Sequence, residues 1–120
     1  MFLHIAANRL IGDIQREFTN MFPFLRLEFY RADETNFMNP KRFLPEKFVL
    51  SNARHGQQEG DICVNGDMTV CQLEKEVLSA FGLGVQVQRK SGKMWLETTM
   101  TDNWTLQKQN ELGKEISQPQ

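Results

Sequence analysis

The chain has 120 residues, 40% of them hydrophobic and 24% charged, with a net charge of −1. This is the composition of one globular domain that can bury its own core, and it gives no overall field to attract nucleic acid or an anionic membrane. No apolar run approaches the ~20 residues that span a bilayer, and His4, Asn8 and Arg9 interrupt the N-terminal segment before signal-peptide length; the expectation is a cytoplasmic protein without membrane contact.

In chain order, Phe2 to Ile5 reads as a short strand. Leu10, Ile11, Ile14, Phe18, Met21 and Phe22 then recur at the spacing of one helix face, and Pro23 ends that helix because the residue before proline is driven out of helical conformation. FLRLEFY alternates, with Leu25, Leu27 and Phe29 on one side and Phe24, Arg26, Glu28 and Tyr30 on the other. A polar connection over 31–60 follows, long for a compact domain, in which KFVL (Lys47 to Leu50) is a candidate short strand and Phe43 and Leu44 are candidate anchors. Ile62 and Val64 mark the next strand. Thr69 and Gln72 have the spacing of a capping box, opening a helix whose stripe is Val70, Leu73, Val77 and Phe81 and whose end is set by Gly82. VQVQRK and MWLETT alternate on either side of Ser91-Gly92, read as a two-residue hairpin turn. That turn predicts Val87 opposite Leu96, Gln88 opposite Trp95 and Gln86 opposite Glu97. Asp102 is placed to cap a short C-terminal helix ended by Gly113, which leaves 1–113 as one domain and 114–120 as a flexible polar tail.

Aligning Leu3 with Ile62 superposes Ile5 on Val64, Ile11 on Val70, Ile14 on Leu73, Phe18 on Val77 and Phe22 on Phe81. After a slip of one residue, Leu25 meets Val85 and Leu27 meets Val87. This internal repeat predicts an α+β fold of the ferredoxin-like βαββαβ type, with a fifth strand added from Met94 to Thr99 and a short C-terminal helix. The alternative is a β-grasp (ubiquitin-like) domain over Lys47 to Thr99, with the N-terminal helix and strand as an extension.

The stretch RKSGKMWLETTMTDNWTLQKQNELG, Arg89 to Gly113, together with IGDIQREF and PFLRLEFY, resembles a family of small uncharacterised bacterial proteins of unknown function. The resemblance covers most of the chain. It implies a shared fold and brings no activity or site residue with it.

Chemistry-bearing residues are sparse. Cys63 and Cys71 are too few for a disulfide framework and read as reduced thiols; with His4 and His55 they match no zinc spacing, and neither thiol is paired with a base. No catalytic, cofactor or metal site is expected. A ferredoxin-like sheet with both helices on one side leaves Phe2, His4, Arg26, Glu28, Tyr30, Gln86, Gln88, Trp95 and Glu97 on the other, a mixed aromatic and polar surface of the kind that binds proteins or stacks bases. The expected partner surface is Tyr30, Arg26, Gln88, Trp95 and Trp104, with the two tryptophans bracketing a threonine-rich turn. Arg89, Lys90 and Lys93 form a basic hairpin tip, which extends through Lys41-Arg42 and Arg54-His55 as a candidate anion or nucleic-acid contact. The expected function is a non-enzymatic module that binds a protein partner or itself. The alternative is nucleic-acid binding through the same face, and a third reading treats the 31–60 loop as the lid of a small-molecule site.

Overall fold

The apolar faces read from the sequence meet in one core in the computed structural model, which describes residues 1–52 and 59–118. The fold is α+β: β1 (Phe2–Ile5), α1 (Ile11–Met21), β2 (Leu25–Tyr30), β3 (Gly60–Cys63), α2 (Val70–Phe81), β4 (Gly84–Ser91), β5 (Met94–Glu97) and α3 (Leu106–Ser117). Ile11, Ile14 and Phe18 of α1 and Leu73 and Val77 of α2 are buried against Leu25, Leu27, Phe29, Val85 and Val87 of the strands. The capping box forms as predicted: Thr69 Oγ1 accepts from Gln72 N (3.1 Å) and Gln72 Oε1 accepts from Thr69 N (2.8 Å). Gly82 closes α2 at φ 67°, the left-handed conformation that glycine adopts without steric cost.

The strand order departs from the ferredoxin-like one. Among the described residues β1 pairs only with β3, and β2, β4 and β5 form a separate sheet in that order, all antiparallel. The β-grasp alternative also changes, because the N-terminal strands are no extension: β1 is the partner of β3 and β2 is the partner of β4. The internal repeat explains why. Leu3 pairs with Ile62 and Leu27 pairs with Val87, so equivalent residues of the two halves sit directly opposite each other. Antiparallel pairing of equivalents is what a two-fold axis through those pairs requires, and the two halves pack together as a symmetric dimer would.

Each half also protects a strand edge with its own helix. Gln15 Nε2 donates to Leu27 O (2.7 Å), and Glu74 Oε2, at the equivalent helix position, accepts from Val87 N (3.1 Å). The same correspondence extends into the long connection. The first amides of α1 donate to Phe48 O (Ile11 N, 2.9 Å) and Glu46 O (Gly12 N, 3.0 Å), and Leu50 N donates back to Arg9 O (2.7 Å). In the second half Val70 N donates to Trp104 O (3.1 Å), Cys71 N to Asp102 O (2.7 Å), and Leu106 N back to Met68 O (2.8 Å). Isolated bridges between Leu10 and Val49 and between Thr69 and Thr105 complete the match. Helix N-termini, which cannot bond their first amides internally, are thus satisfied by a returning loop in both halves. KFVL is accordingly a cap for α1 with one bridge, and a 3₁₀ turn (Leu50–Asn52) stands where the second half has α3.

Two C-terminal boundaries move. The hairpin turn is Gly92-Lys93, with Gly92 at φ 65°, so Ser91 faces Met94, Lys90 faces Trp95, Arg89 faces Leu96 and Gln88 faces Glu97. Moving the turn by one residue shifts the register by two, so every side chain stays on its expected face while its partner changes. Second, α3 runs through Gly113 and ends at Ser117, and Gly113 is buried within it. Residues 114–117 therefore belong to the helix and not to a flexible tail.

Candidate interaction surface

The face of β2, β4 and β5 opposite the core carries Arg26, Glu28, Tyr30, Gln86, Gln88, Lys90, Trp95 and Glu97. The centre of this mixed aromatic and polar face is covered: Glu28, Gln86 and Gln88 are buried. Long side chains arch over them. Arg26 Nε donates to Glu28 Oε1 (2.6 Å) with its guanidinium carbon 5.6 Å from the Trp95 ring centroid, and Gln15 Nε2 reaches Glu28 Oε2 (3.3 Å). Lys41 Nζ donates to Gln86 Oε1 (2.6 Å) and lies 5.1 Å from the Tyr30 ring centroid. Phe2 and His4, assigned to this face from the sequence, are on β1 in the other sheet.

Arg26, Gln88 and Trp95 are thus brought together, Tyr30 sits at the far end of β2 under Lys41, and Trp104 is held separately. The Trp104 backbone belongs to the α2 cap and its ring is covered by Lys108 Nζ at 4.1 Å. The basic tip also divides. Arg89 points to the core side, where Nη1 donates to Gln109 Oε1 (2.7 Å) on α3, while Lys90 and Lys93 stay with the hairpin. Arg54 and His55 lie outside the described residues.

Near β4 lies a group of ionisable side chains that sequence reasoning missed. Burial holds Glu74 above the usual carboxylate range; Asp102 and Glu97 push in the same direction, and the Val87 amide and Lys41 oppose them. Tyr30 is also raised, first by burial and then by the negative charge of Glu74. The available signal was positional: Glu74 falls on Gln15 when the halves are aligned. The Glu74 carboxylate has a structural task at the strand edge, where it accepts from Val87 N.

Elsewhere His4 Nδ1 meets Asp61 Oδ1 at 2.8 Å on the exposed side of β1 and β3. Cys63 is exposed, Cys71 half-buried, and both are free thiols. Among the described residues no three histidine, cysteine or acidic side chains gather to hold a metal, and no helix is long and apolar enough to cross a membrane. In the long connection, a cavity of about 380 Å³ is lined by Arg31, Glu34, Thr35, Asn39, Pro40, Arg42 and Leu44, so both charge signs face it. Residues 44–50 of that connection are tied down by Leu44 N to Phe29 O (2.8 Å) and by the α1 cap, which is the behaviour of a structural strap and not of a lid.

The least satisfied part of the second sheet is the outer edge of β5. This strand ends the sheet, and Met94 and Leu96 on its core-side face are 65% and 40% exposed. Its far end is anchored by Thr98, whose N (3.3 Å) and Oγ1 (2.9 Å) both donate to Val87 O. α3 packs mainly on β4 and β2, with Asn110 Oδ1 accepting from Phe24 N (2.8 Å). No family model, curated protein or solved structure matches the chain.

Proposed function

We propose that this chain is a non-enzymatic protein-interaction module that docks a partner, or a second copy of itself, along the β4–β5 hairpin. The observation that supports this reading is the outer edge of β5, unpaired among the described residues and flanked by exposed Met94 and Leu96 on one face and half-buried Trp95 on the other. A strand edge of that kind offers a row of free amides and carbonyls to an extended partner, while alternate side chains supply selectivity. Trp104 is left out of the surface because it is not on the hairpin: its backbone carbonyl caps α2.

The test is recovery of the tagged chain from a nuclease-treated lysate of its own cells at low salt. A stoichiometric protein retained by the wild type and by Trp104→Ala, and lost with Leu96→Lys and Trp95→Ala at unchanged circular dichroism, supports the hairpin. Retention by all four means that the surface is elsewhere.

A nucleic-acid reading has less support, because Arg89 turns toward Gln109 and leaves two lysines at the tip of a chain of net charge −1. Binding that falls steeply between low and moderate salt would favour it, and a flat response removes it.

A further inference from the structure

We infer that the occupant of the β5 edge is a second copy of this chain, paired antiparallel to β5 about a two-fold axis through Trp95. This rests on the hairpin being the interaction surface and names its partner.

Backbone direction limits the choice of register. Thr98 N bonds Val87 O and Lys90 N bonds Phe24 O, which fixes the alternation along the hairpin. The backbone groups of Arg89 and Leu96 face each other across β4 and β5, and those of Trp95 and Glu97 point outward. Only residues of this outward set can exchange hydrogen bonds with a new strand. Centring the pair on Trp95 sets the two Trp95 residues opposite each other as a hydrogen-bonded pair. It then places Lys93 of each copy opposite Glu97 of the other, and Met94 opposite Leu96. Both charges are exposed, and both symmetric positions receive an ion pair. The apolar partners Met94 and Leu96 cover each other on the core-side face. A slip of two residues in either direction keeps the backbone bonds but sets Lys93 against Trp95, or Trp95 against Glu97, and loses both ion pairs; a slip of one turns inward-facing backbone to the partner. The edge is therefore self-complementary in charge, in apolar contact and in backbone direction in a single register. α3 rests mainly on β4 and β2, and its last turn meets the hairpin turn through Gly92 N and Ser117 Oγ (3.0 Å).

The experiment is sedimentation equilibrium of the full chain from about 1 μM to 1 mM, for the wild type, Lys93→Glu, Glu97→Lys and the double variant. The expected result is a reversible wild-type dimer. Each single variant sets like charges opposite each other at both symmetric positions and raises the dimer Kd about tenfold. The double variant, which exchanges the two signs, returns Kd to within about threefold of wild type. A wild-type chain monomeric throughout overturns the second copy; if it still retains a Leu96-dependent partner from the lysate, the hairpin surface itself stands. A dimer whose Kd ignores all three variants places the interface elsewhere and overturns the second copy as well.

Discussion

Gly113→Ala sets helix propensity against packing. In an exposed helix interior this change stabilises by about 1 kcal/mol, since glycine pays more backbone entropy. Here the added Cβ would sit 2.9 Å from Phe24 Cβ, 3.1 Å from Arg89 Cγ and 3.2 Å from Phe24 O. Carbon atoms in good contact stand about 3.5–4 Å apart, and the Phe24 backbone cannot withdraw, because its carbonyl accepts from Lys90 N at the start of the β2–β4 pairing. The helix has to lift instead. Lifting it strains the Asn110 to Phe24 bond (2.8 Å) and the Arg89 to Gln109 bond (2.7 Å). Overpacking of this kind costs about 1–3 kcal/mol, and each weakened bond adds about 1 kcal/mol. After the propensity gain, the expected net loss is about 3 kcal/mol, or about 12 °C in Tm for a domain of this length. Urea titration followed by tryptophan fluorescence, with thermal melts by circular dichroism, reads both quantities. A variant more stable than wild type by about 1 kcal/mol would show that α3 is not seated through Gly113, and the account of its docking would be wrong.

Two further substitutions probe the caps and the strand edge. Thr69→Ala removes the acceptor of Gln72 N but leaves Val70 N and Cys71 N bonded to Trp104 O and Asp102 O, so the loss in urea is expected at about 1 kcal/mol; an unchanged midpoint contradicts the capping box. Glu74→Gln keeps a carbonyl acceptor for Val87 N and removes the charge; the first half has a glutamine at this position, although Gln15 donates to Leu27 O where Glu74 accepts from Val87 N. Because the folded Glu74 carboxyl is raised, the folded state holds its proton more tightly than the unfolded state does. Wild-type stability therefore falls as pH rises from the ordinary glutamate range through the raised value, and the variant lacks that decline and gains on wild type toward neutrality. Stability curves that run parallel between about pH 4 and pH 8 would refute this.

Much local chemistry was legible in the sequence, although the hairpin turn lay one residue on from Ser91-Gly92 and Gly113 did not end α3. The helix stripes, the Pro23 stop, the Thr69–Gln72 box, the Gly82 cap and the alternation of FLRLEFY and VQVQRK each appear in the fold as read. The side of the sheet that each hairpin residue occupies was likewise determined, because a strand has a period of two whatever its register. Partner choice was not. The repeat identified equivalent strands, but whether β2 would lie beside β3 or beside β4 depended on how the two halves pack, which no single segment encodes. The sequence match between Glu46–Ser51 and Asp102–Gln107 was present but weak: hydrogen bonds between main-chain groups carry this cap, and such bonds constrain side-chain identity little. The open face was misread for a related reason. Alternation places Glu28, Gln86 and Gln88 outside the core but says nothing of Arg26 and Lys41 reaching over them. Composition and periodicity thus determined most of the elements, their faces and the repeat of one half in the other. Only tertiary packing decided which strands pair, what bonds the edges of β2 and β4 and, among the described residues, that β5 has no strand beyond it, because those outcomes rest on contacts between groups far apart in the chain.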